Sequence, residues 1–532
     1  MNDDDLWYKD AVFYQVSVRA FKDSNGDGYG DLRGLEEKLT YIRDLGIDCI
    51  WLMPIYPSPL RDDGYDIADY YNVAEMYGTL DDLKSLIQTA HSLGLRVIMD
   101  LVLNHTSDEH PWFKASRSDK NSPYRDYYVW SDTDQKYKDT RIIFLDTEPS
   151  NWTWEERTGQ YYWHRFYASQ PDLNFDNPQV QEEMLNVARF WLDIGIDGFR
   201  ADAVPYLFEC EGTNCENLPE THVYLKKLRV FMDANFPGRI LLCEANQWPE
   251  DVRPYFGDGD EFHMGFHFPI MPRIYMALKK ERPDDMVEIL RRTPPIPENC
   301  QWCIFLRNHD ELTLEMVTEE ERDWMWREYA PEPRMKLNLG IRRRLSSLLD
   351  NDRRKIELAN SLLFTLPGSP IIYYGDEIGM GDNLDLFDRN GVRTPMQWDD
   401  SPNAGFTTGK PFTEFVKDER SYQHVNVAKQ MADPDSLFHA ISRMVNLRKR
   451  HHVFGRGTLE WVQMDNPAFA VYTRRYQDEI FLVVNNLSGS AQTISLPAEH
   501  QAEYVDLLSN AAYRVGATLT LQPYAHLWLK RQ

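Results

Sequence analysis

The sequence predicts an α/β protein: an eight-stranded parallel (β/α)8 barrel of the TIM type, interrupted after its third strand and followed by a separate all-β domain. Three observations carry this. Short β-rich apolar runs alternate with helical segments eight times, polar residues gather at the C-terminal ends of those runs, and the pattern changes after about residue 453.

The runs, in order, are AVFYQVSV (11–18), IDCIWLMP (47–54), LRVIMDLVLN (95–104), GFRADAV (198–204), RILLCEA (239–245), FHMGFHF (262–268), QWCIFLRNHD (301–310) and SPIIYYGDE (369–377). Near-continuous apolar character with polar residues only at the ends fits strands buried on both faces, as in a closed parallel barrel. Helical patterns at 80–93, 178–194 and 353–365 supply right-handed crossovers. The barrel is expected over 1–104 and 178–452. A stretch rich in Trp, Tyr, Pro and Asp, 105–177, is too long for a connecting loop and reads as an inserted subdomain beside the site. A second interruption, 318–351, is charged and reads as a helical, lid-like insertion. From 453 to 532, LEWVQ, AFAVYTRRY, EIFLVVNNLS and QTISL alternate with period two, predicting a C-terminal β-sandwich.

Composition narrows the function. The 532 residues carry 58 Lys plus Arg against 84 Asp plus Glu, a formal charge of −26. That excludes nucleic acid and anionic membrane surfaces as partners, since both need a basic face. The start, MNDDDLWYKDAVFY, shows no leader and no run is long enough to span a bilayer, so a cytoplasmic location is expected. The six cysteines, at 49, 210, 215, 243, 300 and 303, are expected as buried reduced thiols. The aromatic share of 13% exceeds what a core needs and suits stacking on sugar rings.

In a barrel of this kind the strand C-termini form the active face. Asp202 with Arg200, Glu244, and Asp310 with His309 stand at three such ends. Two carboxylates with opposed protonation states are the apparatus of glycoside cleavage, one as nucleophile and one as acid/base. Arg200 is expected to keep Asp202 ionised, and a carboxylate-rich apolar setting to raise the pKa of Glu244. A retaining pair requires carboxyl groups roughly 5–5.5 Å apart.

DLVLNH (100–105), GFRADAV (198–204), EANQW (244–248) and FLRNHD (305–310) resemble, in order, the four sequence signatures of the α-amylase family of glycoside hydrolases. QPDLNFDNP (170–178), DDGYDIADY (62–70) and GVRTPMQW (391–398) are similar to its oligo-1,6-glucosidase-like branch. The resemblance implies Asp202 as nucleophile, Glu244 as acid/base and Asp310 as transition-state stabiliser. It implies sugar contacts from His105, His309, Arg200, Tyr65 and Phe166, with Asp62 and Arg393 pairing to close the far end. Within the branch, NWTWEERTGQYYWHRFY, ECEGTNCENLPETH and NHDELTLEMVTEEERD resemble members that isomerise maltose to trehalose without releasing the glucose. Maltose and trehalose as ligands, and a homodimer or homotetramer, are expected on that basis. Two alternatives stand beside it: an α-glucosidase or oligo-1,6-glucosidase letting water attack the same intermediate, and a non-catalytic transporter subunit, which the three acids argue against.

Calcium is expected at one or two structural sites, with no organic cofactor. KDSNGDGYGDL (22–32) has the oxygen spacing of a calcium loop, but Gly34 stands where a sensor loop needs a bidentate Glu. A static site from Asp23, Asn25, Asp27, the Tyr29 carbonyl and Asp31 is the expectation, in a barrel loop with no helix before it and a helix beginning near Leu35. The family resemblance implies a second site from Asn104, Asp172, the carbonyls of Tyr206 and Leu207, and Glu209.

Overall fold

A computed structural model describes residues 6–532; the first five residues of the stretch read as leaderless lie outside it. The eight barrel strands are β1 (Phe13–Val16), β2 (Cys49–Leu52), β3 (Arg96–Val102), β4 (Gly198–Asp202), β5 (Ile240–Cys243), β6 (Met264–Phe266), β7 (Gln301–Phe305) and β8 (Ser369–Tyr373). Each expected run supplies one strand. They pair in parallel with their sequence neighbours, and β8 closes on β1 through Phe13↔Ile371 and Gln15↔Tyr373. No helix among the described residues is long and apolar enough to cross a membrane.

The crossover helices show why they start and stop where they do. Pro178–Ile194 is capped by Asn177, has Pro at its first position and ends on Gly195 in the left-handed region. Leu80–Ser92 opens on a Thr79/Asp82 capping box, and Arg353–Thr365 on the Asp352 side chain. After β5 the expected crossover helix is missing. Pro249, Pro254 and Gly257 cut the segment into two single turns, Pro249–Val252 and Arg253–Phe256.

The insertion carries one helix, Pro111–Ser118, and a three-stranded antiparallel sheet whose centre is Gln160–Trp163. The 318–351 segment is only partly helical, a correction to the expectation. Its helix, Glu319–Tyr329, gives way to a hairpin of Lys336–Leu337 and Gly340–Ile341, which pairs with Leu312–Thr313. Asn338, at φ 46°, makes the tight turn that charge content alone did not reveal.

The C-terminal domain sets a six-stranded antiparallel sheet against a two-stranded one. Alternation along Phe469–Tyr476 and Glu479–Asn486 divides the side chains. Phe469, Val471, Leu482 and Val484 fill the sandwich, while Ala470, Tyr472, Phe481 and Val483 join the barrel core. Tyr472 Oη lies 2.6 Å from Thr365 Oγ1 and Trp528 Nε1 donates to Ser361 Oγ at 2.9 Å, so the domain docks on the 353–365 helix. Five cysteines are buried as expected; Cys210 is exposed, in a turn closed by Thr213 N–H to Cys210 O.

Candidate active site

The barrel register brings the acids together. Asp100 on β3 sits beside Arg200 on β4, and Val102 beside Asp202, so carboxylate and guanidinium alternate at one rim. Arg200 Nη1 donates to Asp100 Oδ1 at 2.6 Å and also to Asp202, while Nη2 donates to Glu244. Three carboxylates thus share one guanidinium, where the sequence suggested one partner. Asp202 and Glu244 are bound by the two terminal nitrogens of the same guanidinium. Ala203, between them in space, takes φ 53°, and its N–H donates to Glu244 Oε2 at 3.1 Å. A left-handed alanine directly after Asp202 is local backbone strain, and it accompanies this hydrogen bond.

Burial raises the Asp202 carboxyl to about 6, with Arg200 resisting the rise. Glu244 is pushed to about 8 by burial and by the negative charges of Asp202 and Asp310, although Arg200 opposes this. Near neutrality, therefore, Asp202 is ionised and Glu244 protonated. Asp310 is held below the ordinary carboxylate range: burial works against this, but the charges of Arg389 and Arg393 outweigh it. His105 and His309 are both kept neutral by burial, His105 lowered to about 3.

The pocket is lined by Asp62, Tyr65, His105, Phe166, Asp202, Glu244, His309 and Asp310, all expected from the sequence. Tyr65 stacks on the His309 ring at 5.3 Å and 14°, and Phe166 faces His105 from the insertion at 5.2 Å. The far end is closed differently from the expectation. Asp62 pairs with Arg389 at 2.6 Å, and Arg393 pairs with Asp63 at 3.0 Å. Asp63 takes φ 51°, which turns it away from its neighbour and sends the two acids to separate arginines. Arg389 also reaches Asp310 at 2.8 Å, and Arg393 does so at 3.1 Å. Arg389 went unnoticed although it stands four residues before Arg393 in DRNGVR. Asn246, from EANQW, and Glu311 and Glu315, from NHDELTLEMVTEEERD, also line the pocket, as does Phe144, which lies outside the stretches that carry the resemblance.

The roof is tied across its parts. Arg141 of the insertion donates to Glu216 at 2.8 Å and to Glu315 at 2.7 Å, and Asp146 accepts the Asn338 N–H at 2.9 Å. A second cavity, between the 178–194 and 219–235 helices, has one acid and one lysine and no catalytic grouping.

The two expected cation sites differ in how their oxygens are used. In the 22–32 loop, Asp23 accepts N–H groups from Asn25, Gly26 and Gly28, Asn25 accepts from Asp27, and Asp27 from Tyr29. Asp31 caps the helix Leu32–Glu37 through Gly34 N–H, so that helix starts three residues earlier than expected. A one-turn helix, Val18–Phe21, precedes the loop, again unlike the expectation. Gly28 is needed there, at φ 98° with a Cβ that would lie 1.9 Å from Lys410 O. Among the described residues no three His, Cys, Asp or Glu side chains gather as a metal group. The second cluster is the reverse. Asn104 Oδ1, Asp172 Oδ2 and Glu209 Oε1 are buried and have no hydrogen-bond partner. Burial raises Asp172 to about 8 and Glu209 well above its ordinary value, with Asp172 adding to the Glu209 shift. Orphaned oxygens on two buried acids and an amide fit a hard cation.

Comparison with known proteins agrees with this geometry. The α-amylase catalytic-domain model matches residues 15–332 and 341–457, and the maltogenic amylase C-terminal-domain model matches 459–528. A trehalose synthase from Pimelobacter sp. is 57% identical over 92% of this chain and 88% of its own. An oligo-1,6-glucosidase from Heyndrickxia coagulans is 34% identical, over 97% and 98%. The structure of a trehalulose synthase mutant in complex with Tris superposes with a TM-score of 0.82 at 31% identity, covering 99% of this chain and 100% of that one.

Proposed function

Because the chain belongs to the α-amylase family of glycoside hydrolases, we propose that it isomerises maltose to trehalose as an intramolecular transferase. The observation that carries the reading is the tied roof over a one-ended pocket, Arg141 to Glu315 and Asp146 to Asn338. The stronger similarity to a trehalose synthase than to an oligo-1,6-glucosidase supports it.

Both disaccharides are α at the transferred carbon, so the reaction retains configuration by double displacement. Asp202, ionised, attacks C1 while Glu244, protonated, gives its proton to the departing O4. A covalent β-glucosyl intermediate and free glucose result. The glucose turns within the closed pocket, its α-anomeric hydroxyl attacks C1, and Glu244 takes the hydroxyl proton as Asp202 leaves. Asp310, fixed by Arg389 and Arg393, binds sugar hydroxyls. Water entering before the second attack gives glucose as a minor product. Asn104, Asp172 and Glu209 would hold calcium, which would tie the insertion to the barrel and take no part in a step. An ion in the 22–32 loop would have to share oxygens that already accept N–H donors.

Incubation with maltose and separation of the products tests the proposal. Trehalose as the main product is expected; glucose alone would make the chain a hydrolase. Heavy incorporation of labelled free glucose into trehalose would sink the intramolecular step.

A further inference from the structure

Gln15 lies on β1 opposite Trp51 of β2 and Tyr373 of β8, fully buried and outside the pocket lining. A buried amide in the middle of a barrel strand is costly unless its polar atoms are used. Its Oε1 has no hydrogen-bond partner, so the amide's one side-chain contact is through Nε2, 2.7 Å from Nδ1 of His309. The other His309 nitrogen, Nε2, is 3.2 Å from Asp310 Oδ2. One proton arrangement satisfies both contacts. Asp310, held ionised by two arginines, only accepts, so His309 Nε2 carries the hydrogen. The ring is neutral, so Nδ1 offers a lone pair, and only the amide N–H2 of Gln15 can meet it.

The other groups facing the ring do not supply an alternative. Tyr65 stacks on its face, Trp51 meets it edge-on at 5.9 Å, and Arg393 bonds to the His309 carbonyl. The charges of Arg393, Arg200 and Arg389 all disfavour a second ring proton, and Asp310 alone favours one.

We infer that Gln15 is a positioning residue: it locks His309 in the Nε2–H tautomer, and through that ring it orients the Asp310 carboxylate. Arg389 and Arg393 hold Oδ1 of Asp310, and the His309 ring stands beside Oδ2 at 3.2 Å, so the ring's placement bears on the free oxygen of that carboxylate. The inference rests on the reading of Asp310 and His309 as sugar-binding groups, but not on which disaccharide is turned over.

Long-range 1H–15N spectra of the full chain labelled with 15N-histidine test it, with His309 assigned by its loss in His309→Gln. The wild type is expected to show the Nε2–H tautomer, unchanged between about pH 5 and 8. In Gln15→Glu the new carboxylate accepts instead of donating, so His309 is expected to carry hydrogen on Nδ1. A fall in kcat of about 10- to 100-fold, the size seen when a functional histidine loses its orienting partner, should accompany it with little change in KM. An Nδ1–H tautomer in the wild type would overturn the inference without any variant, which keeps it testable if Gln15→Glu does not fold. So would a folded Gln15→Glu with the wild-type tautomer and kcat. Glucose as the only product from maltose, with His309 still Nε2–H, would refute the isomerase reading and leave this one standing.

Discussion

Arg141 in the insertion and Glu315 after β7 meet at 2.7 Å, joining two segments that are 174 residues apart in sequence. Arg141 belongs to the 105–177 insertion, and Glu315 lies between the strand Leu312–Thr313 and the 318–351 segment. The pair is part-exposed, and such pairs contribute about 0.5–1 kcal/mol. Glu315→Gln should therefore shift the balance between closed and open roof by about twofold to fivefold. Expected is a matching rise in the glucose-to-trehalose product ratio from maltose, with total bond cleavage nearly unchanged. An unaltered ratio would show that this pair does not seal the pocket.

The pH dependence follows from the paired acids. Activity needs Asp202 ionised and Glu244 protonated, so kcat/KM should be bell-shaped, with limbs near the values of about 6 and about 8. The limbs belong to the pair and not to either residue alone. Stability gives a second reading. A carboxyl raised from its unfolded value to about 8 keeps a proton on folding, so folding weakens as pH rises from about 4.3 to 8. Glu244→Gln removes that slope. Its Tm should exceed the wild type's by more at pH 8 than at pH 5, while turnover of maltose is lost.

Arg389 spans Asp62 and Asp310 with separate nitrogens, which a lysine cannot do. Arg389→Lys should lose one charge-assisted hydrogen bond, about 1.5–3 kcal/mol, and so lower kcat/KM for maltose by about 10- to 150-fold. Steady-state kinetics with far-UV circular dichroism as a folding control would check it. Wild-type kinetics would mean that Arg393 alone suffices for Asp310.

Calcium should act through the cluster of orphaned oxygens. Burial raises Asp172 to about 8 and Glu209 well above its ordinary value, so without a cation the Asp172 contribution to folding is lost as pH rises to about 8, and that of Glu209 falls in the same direction. A bound cation reverses that, favouring the ionised acids and releasing protons. Calcium is expected to raise Tm more at pH 8 than at pH 6, a chelator to lower it, and Glu209→Gln to blunt the response. A Tm indifferent to calcium in the wild type would leave a protonated, hydrogen-bonded cluster.

The sequence by itself determined the eight strands, the place of the insertion, the β-domain and the three acids at the rim. Those features are written in local patterning, because buried parallel strands must be apolar and functional groups must sit at their ends. Tertiary structure alone decided which charges meet. Asp62 and Asp63 are adjacent, as Arg389 and Arg393 nearly are, and only the backbone at Asp63 sorts them into Asp62–Arg389 and Asp63–Arg393. The same holds for Arg200, shared by three carboxylates on three strands, and for Gln15, whose partner lies 294 residues away. Patterning is a property of neighbours in the chain, whereas an ion pair depends on ångström-scale distances set by register and packing. The path of the fold could be read from one, and the wiring of the site only from the other.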